Sequence, residues 1–285
     1  MKKIILFGLM ALGFGQANAQ DAVLFKMQQM PNHKYTSEIG MGMDIHVNMT
    51  GNQAILDKLK AKGVTMPVAV KLNISGNMNM STGKAAADNS FPVMVALGLQ
   101  DLSIDFNGQK IEPLKGKDID VKVFGHNEAD GTMVADSSFV NGKKDTARSS
   151  SNMLSAFKKQ VKFPDHPLKV GDSFTHEAPI NLPSTTKLGI NATKTLVKTT
   201  YKLISIADGK AYFDVAQDLD IEMTIKGLNA SITGGGTGKL VYSIKDSYPL
   251  SLDNTVNMKL KVTAGTMIVD GTADITINSK NTISQ

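Results

Sequence analysis

A glycine-rich run is the first candidate for chemistry, because such runs can hold phosphate groups. Gly234-Gly235-Gly236-Thr237-Gly238-Lys239 looks like a phosphate-binding loop. Thr233 stands where that loop needs its first glycine, and Leu240 stands where a hydroxyl should bind magnesium. The run also precedes a strand pattern instead of a helix whose N-terminus could hold phosphate. We therefore interpret it as a flexible turn or bulge.

The histidines do not have the spacing of metal ligands. His176-Glu177 begins like a zinc-protease helix, but the second histidine is missing and Pro179 would break the helix. The full set is His33, His46, His126, His166 and His176. The chain has no cysteine, so thiol chemistry and cysteine-based metal sites are excluded. We predict no metal and no cofactor, and only a cluster formed in three dimensions stays open.

Four carboxylates fall on alternate positions of one strand pattern, namely Asp214, Asp218, Asp220 and Glu222. Such a set could bind calcium or form a catalytic pair. Alternating charge is also what a strand with one solvent-exposed face requires, and we favour that interpretation. No Gly-x-Ser-x-Gly nucleophile motif is present. We predict that the protein is not an enzyme, with a hydrolase of dispersed Ser, His and Asp as the less favoured alternative.

Methionine is the unusual feature of the composition, with 16 residues, many of them in apolar strand positions. Methionine is flexible and polarisable, so it suits surfaces that adapt to varied apolar partners. We predict that six methionines line a site for a lipid or another hydrophobic ligand: Met41, Met43, Met49, Met78, Met80 and Met223. The alternative is that they fill the core.

These candidates must be positioned by strands, because apolar residues alternate with polar ones over long stretches. Ile39 to Met49 is the clearest run, followed by runs over 66–80 and 91–106. The third run changes phase near Gln100-Asp101, which predicts a β-bulge. Asn107-Gly108, Asp130-Gly131 and Asp208-Gly209 predict tight turns. Further strands are predicted from Leu196 to Ile277.

Long strands joined by short turns predict an all-β, antiparallel fold. Twelve residues span roughly 40 Å, about twice the average strand. We therefore expect a strongly curved sheet or incomplete barrel with one or two short helices, over 53–62 and 149–161. Residues 20–285 are predicted to be a single β-rich domain; the alternative is two strand-rich halves joined by the helix-containing segment 141–170.

The first nineteen residues have the layout of a secretory signal peptide. Lys2 and Lys3 precede an apolar run over 4–14, and Ala17-Asn18-Ala19 supplies the small residues for cleavage before Gln20. No later segment is apolar enough to cross a membrane as a helix. We therefore expect export to the periplasm or the extracellular space, with no transmembrane span after signal cleavage.

Charge and composition exclude one class of partner. The formal charge is +5, lysines are scattered among acidic residues, aromatic residues are 6% and tryptophan is absent. Nucleic-acid binding usually needs a concentrated basic patch with aromatic residues for stacking. We therefore predict no nucleic-acid partner.

One segment resembles a known family. Pro167-Leu168-Lys169-Val170-Gly171-Asp172-Ser173-Phe174 is similar to a segment found in uncharacterised secreted β-rich proteins of Gram-negative bacteria, and Gly236-Thr237-Gly238 at a strand start looks similar too. That family has no assigned activity, so the resemblance implies no catalytic residue. The long sheet with a helical insertion also looks like the open barrels of Lol-type lipoprotein carriers, which is a likeness of architecture only.

The sequence favours binding over catalysis. We predict an exported binding protein that holds a hydrophobic ligand, such as an apolar small molecule or a lipid, in a curved sheet. The alternative is a structural protein of the envelope that acts through contact with an envelope protein.

Overall fold

The computed structural model describes residues 22–61, 63–113, 119–145, 162–179, 190–225 and 228–285. The elements are β1 Lys34–Thr50, α1 Gln53–Ala61, β2 Val68–Thr82, β3 Phe91–Phe106, β4 Gln109–Ile111, β5 Ile119–Asn127, β6 Met133–Val140, β7 Lys143–Lys144, β8 Ser173–Pro179, β9 Ile190–Ala207, β10 Lys210–Ile225, β11 Leu228–Ser243, β12 Tyr248–Ala264 and β13 Met267–Ser284. The predicted signal peptide and the predicted helix over 149–161 lie outside the described residues.

All thirteen strands belong to one antiparallel sheet. Their order is β7-β6-β5-β3-β2-β1-β13-β12-β11-β10-β9-β8, and β4 pairs with β3. The two strand-rich halves of the sequence meet at the centre, where β1 pairs with β13 from Lys34↔Ser284 to Thr50↔Ile268. The ends of this order, β7 and β8, do not pair with each other, so the sheet is not closed. The predicted all-β, antiparallel class is confirmed.

The sheet has one apolar face and one polar face. Residues that lie directly opposite each other on paired strands share a face. The registers therefore show which positions lie on the apolar face. These are the odd-numbered residues of β1, β10 and β13 and the even-numbered residues of β2 and β11. In β12 they are the even-numbered residues from Leu252 onward. No Asp, Glu, Lys or Arg occupies any of these positions in the described strands.

One end of the apolar face is covered and densely packed; we call it the packed end. Its first cluster contains Tyr35, Met78, Met80, Phe91, Val93, Val95, Val121, Val123, Met133 and Tyr248. Its second contains Phe25, Phe163, Leu168, Tyr201, Leu203, Ala211, Phe213, Val215, Leu240 and Tyr242. Both clusters lie near the β1 end that begins at Lys34, where β2, β10 and β11 also have their buried ends.

The segment 22–33 lies across the packed end. Phe25 contacts the rings of Phe213 and Tyr242 at centroid distances of 5.2 and 5.5 Å. The Tyr242 hydroxyl donates a hydrogen bond to the Lys26 carbonyl, and the Met30 amide donates to the Tyr35 hydroxyl at 2.7 Å. Since these contacts reach both clusters, the segment joins the two sides of the sheet.

The packed end contains four buried tyrosines whose pKa values are raised. Burial raises the pKa of Tyr248 to about 12, and Tyr35 beside it adds to the rise. Burial also raises the pKa of Tyr35, Tyr201 and Tyr242. A phenol in low-dielectric surroundings resists becoming charged, so these four groups stay neutral well into the alkaline range.

Local signals in the sequence predicted several features correctly. The register passes from Ser75↔Asp101 to Gly76↔Leu99, so the extra residue is Gln100 and the predicted bulge is confirmed. Asn107-Gly108 and Asp208-Gly209 both have positive φ and connect paired strands, as predicted. The turn at Asp130-Gly131 is likewise confirmed.

Helix α1 is also confirmed. The side chain of Asn52 accepts a hydrogen bond from the Ile55 amide, an N-terminal cap. At the other end Gly63 has a φ of +80°, and its amide bonds back to the Lys60 carbonyl. None of the helix residues is buried.

The prediction of a turn or bulge at the glycine-rich run is wrong. Gly234, Gly235 and Gly236 lie inside the continuous strand β11, whose register with β10 is unbroken. Gly234, Gly236 and Gly238 all fall on the apolar face; we call them the glycine stripe. A Cβ on Gly236 would lie 2.6 Å from the Thr255 carbonyl oxygen and 2.8 Å from Val256 Cγ2. These glycines therefore permit close approach of β12 instead of reversing the chain.

Candidate functional site

At the other end of the apolar face, no described segment forms a packed cover; we call it the open end. Its side chains on β1 and β13 are half-buried, and none of them belongs to a buried cluster of the described residues. They are Met41, Met43, Ile45, Val47, Met49, Val269, Ala273, Ile275 and Ile277. Nearby, the described residues Ile221, Met223 and Ala230 form a small buried cluster, with Ile232 and Val262 against it.

Some large apolar side chains at the open end are clearly exposed. Phe106 is 38% exposed, Ile111 51% and Leu228 37%. The described helix α1 does not bury any of its own residues here. The open end is therefore an apolar surface in contact with water, which soluble proteins usually keep small unless it binds something.

The size of the open end follows from strand geometry. Met41 and Met49 are eight residues apart, so the apolar surface runs roughly 27 Å along the strand. Strands β3, β2, β1, β13, β12, β11 and β10 lie side by side, which gives a width on the order of 29 Å. The open end is therefore a broad apolar surface.

The six predicted methionines divide between the two ends. Met78 and Met80 are each 4% exposed and lie within the first cluster of the packed end. Met223 is 7% exposed and lies in the small cluster with Ile221. Met41, Met43 and Met49 are half-buried along β1 at the open end. Their role in ligand binding stays a prediction.

Three polar side chains interrupt the apolar face where the two ends meet; we call Thr199, Gln217 and Asn254 the amide patch. Asn254 Nδ2 donates to Gln217 Oε1 at 2.7 Å, and Gln217 Nε2 donates to Thr199 Oγ1 at 3.4 Å. His176 lies opposite Thr199 in the register. No motif in the sequence marked this patch, since its residues come from strands β9, β10 and β12.

The glycine stripe explains why the amide patch can form. Gln217 and Asn254 lie on β10 and β12, with β11 between them, and they pair with Gly236 and Gly238 respectively. Cα atoms of β10 and β12 approach within 8 Å of each other. Because glycine has no side chain, the two amides meet directly above β11.

The polar face carries the charged residues. Lys71 Nζ lies 3.3 Å from Asp44 Oδ2, and both side chains are exposed. A groove of about 490 Å³ on this face is lined by His46, Asn48, Thr233, Lys259, Lys261, Asp270 and Thr272 among others. A second groove, which includes Glu38, Asp253 and Lys280, also opens on this face. Both linings contain acidic and basic side chains.

The carboxylates that the sequence offered as a calcium or catalytic set lie along β10. Asp214, Asp218 and Glu222 are exposed on the polar face, and Asp214 lies between Lys202 and Lys239 in the registers. His126 and Asp136 form a separate pair at 3.2 Å. Among the described residues, no three His, Asp or Glu side chains are grouped to hold a metal ion.

Two comparisons with known proteins found no match. No protein-family model matches this chain, and no curated protein matches it. In the described part of the chain, no helix is long and apolar enough to cross a membrane.

Proposed function

We propose that this protein is an exported carrier or binding protein that holds a hydrocarbon chain against the open end of its apolar face. The observation that carries the proposal is the contrast along β1, which is packed at Tyr35 and half-exposed from Met41 to Met49. Water contact with so much apolar surface is unfavourable by ~25 cal/mol per Å². A ligand that covers this surface recovers that free energy.

The lining favours an apolar chain as the occupant. No charged residue occupies an apolar-face position in the described strands β1, β2 and β10–β13. Each methylene removed from water contributes about 0.8 kcal/mol, so a chain of ten or more carbons binds tightly without any polar contact. Methionine side chains at Met41, Met43 and Met49 can adjust to chains of different shape.

Sheet curvature is part of the proposal. In a flat sheet, strands two places apart lie about 9.5 Å from each other. The approach of β10 and β12 within 8 Å supports a bend of the sheet at β11. A sheet bent toward its apolar face would shelter a bound chain on both sides. The proposed export and the resemblance to secreted β-rich proteins and Lol-type carriers fit the same role.

Binding of a neutral apolar dye tests this function. N-phenyl-1-naphthylamine fluoresces strongly when it leaves water, and we expect it to bind the purified protein at micromolar concentration. Ile275→Asn should weaken binding at least tenfold, because it places an amide in the middle of the open end. Thr276→Asn is the matched control on the polar face of the same strand, and it should leave binding unchanged.

Two results would contradict the proposal. Dye binding that is absent, or that is equally insensitive to both substitutions, would remove the open end as a ligand site. Native mass spectrometry of the exported protein provides a separate check, since a bound lipid adds a defined mass. A protein neighbour cross-linked at Met43, without any lipid, would favour the alternative of a structural envelope protein.

A further inference from the structure

The amide patch lies at the boundary between covered and uncovered apolar surface. On one side its neighbours are Val215 and Tyr201, which belong to the packed end. On the other side are Val256, which is 7% exposed, and Leu219 and Met258, which are half-buried. A chain lying along the open end would therefore reach the patch with one of its two ends.

The hydrogen bonds within the patch are incomplete. Asn254 is 8% exposed, and its Oδ1 is buried without a hydrogen-bond partner. Gln217 is half-buried, and its Nε2 has two hydrogens, of which the bond to Thr199 uses one. The patch thus has one buried acceptor and one further donor available.

The surroundings of the patch define the head group that it can accept. Asn254 and Gln217 are neutral, and no charged residue occupies a neighbouring apolar-face position on the described strands β10–β13. The titratable His176 lies opposite Thr199, so strand β9 separates it from Gln217. A carboxylate or phosphate head would lose its water there without gaining an opposite charge. A neutral group that both donates and accepts a hydrogen bond suits the patch, because Asn254 Oδ1 lacks a donor.

We propose that the amide patch binds the neutral hydroxyl or amide head group of an amphiphile whose hydrocarbon chain lies along the open end. This assignment rests on the proposed function. The head group donates to Asn254 Oδ1 and accepts from Gln217 Nε2. Fatty alcohols, monoacylglycerols and fatty amides belong to this class of ligand.

Displacement of the bound dye by three ligands of equal chain length tests the assignment. Dodecanol has a donor, dodecyl methyl ether has only an acceptor, and dodecanoate at pH 8 has a charge. We expect dodecanol to displace the dye at a concentration about fivefold lower than the ether needs, the effect of one neutral hydrogen bond. Dodecanoate should be the weakest competitor of the three.

Substitution of Asn254 tests whether this side chain causes the difference between dodecanol and the ether. Asn254→Leu should remove the difference between dodecanol and the ether while dye binding persists. Asn257→Leu is the matched control on the polar face of the same strand. It also removes an amide hydrogen bond, since Asn257 Nδ2 donates to Asp274 Oδ1 at 2.5 Å. The control should keep the difference. Gln217→Met, at a half-buried position, provides a second variant should Asn254→Leu fold poorly.

The outcomes separate this assignment from the proposed function. Equal displacement by dodecanol and the ether in the wild type would overturn the head-group assignment, although dye binding would still support the open end as a site. A difference that survives both Asn254→Leu and Gln217→Met would overturn it as well. Absence of dye binding to the wild type would overturn both proposals together.

Discussion

The packed end and the open end belong to the same strands, yet they differ in what covers them. At the packed end, segment 22–33 and the region around Phe163 and Leu168 lie on the apolar face. At the open end the same alternation continues along β1, but its side chains remain half-buried. Alternation therefore tells which side of a strand is apolar, but it does not tell whether that side is covered by the protein itself.

The two ends also differ in the kind of side chain that they use. The packed end concentrates aromatic rings: Phe163 lies 5.9 Å from Phe213 and 5.2 Å from Tyr242. The open end on β1 and β13 has only aliphatic residues and methionine. Rings bury large areas in fixed geometry, which suits a permanent core, whereas the methionines of the open end are flexible.

The largest expected effect compares two phenylalanines, one from each end. Phe213 is 1% exposed in the packed end, and Phe106 is 38% exposed in the open end. Phe213→Ala should lower the free energy of unfolding by about 3–5 kcal/mol, because it leaves a cavity among packed rings. Phe106→Ala should cost about 1 kcal/mol or less, since much of the ring already contacts water. Urea unfolding measures both, and equal losses would contradict the division into two ends.

The next effect is a loss of stability in alkali that arises in the packed end. Tyr248 has a pKa of about 12 when folded, whereas tyrosine in an unfolded chain ionises near 10. The stability associated with neutral Tyr248 is fully present below pH 10. It is lost as the pH rises from 10 through 12, because in that interval the tyrosine ionises readily only in the unfolded chain. The loss should be about 3 kcal/mol. Tyr248→Phe should flatten this decline in urea unfolding followed against pH, and an unchanged slope would count against it.

The smallest expected effect concerns the glycine stripe. Gly236→Ala should destabilise the protein by about 1–3 kcal/mol, although alanine is less flexible than glycine in the unfolded chain. The added Cβ would lie 2.6 Å from the Thr255 carbonyl oxygen, so β12 must move away. Thr237→Ala, the exposed neighbour on the polar face, should change stability by about 0.5 kcal/mol or less. Thermal unfolding of the two variants distinguishes them, and similar midpoints would remove the structural role assigned to the stripe.

Much of the fold followed from local signals. The period of two predicted most strands, and the change of phase in the third run predicted a bulge near Gln100-Asp101, which the register confirms. Asn107-Gly108 and Asp208-Gly209 marked turns because both positions adopt positive φ, which asparagine, aspartate and glycine tolerate. The predicted helix over 53–62 forms as α1, which the Asn52 side chain caps at its N-terminus and which Gly63 follows with a positive φ.

The interpretation of the glycine-rich run failed because it used only local preference. Glycine is uncommon inside strands, so three in succession suggested a break in β11. The reason for these glycines lies in another strand, since β12 approaches too closely for a side chain on Gly236. The amide patch was missed for the same reason, because Thr199 and Asn254 are far apart in sequence and meet only through Gln217.

The sequence by itself determined the strands, their two faces and the absence of charge from one of them, because alternation and turn chemistry act over a few residues. The tertiary structure decided the order of the strands, in which pairing of β1 with β13 joins the two halves of the sequence. It also decided which part of the apolar face segment 22–33 covers and where the amide side chains meet. Those features depend on contacts between residues distant in the chain, and a pattern of neighbours along the sequence does not specify them.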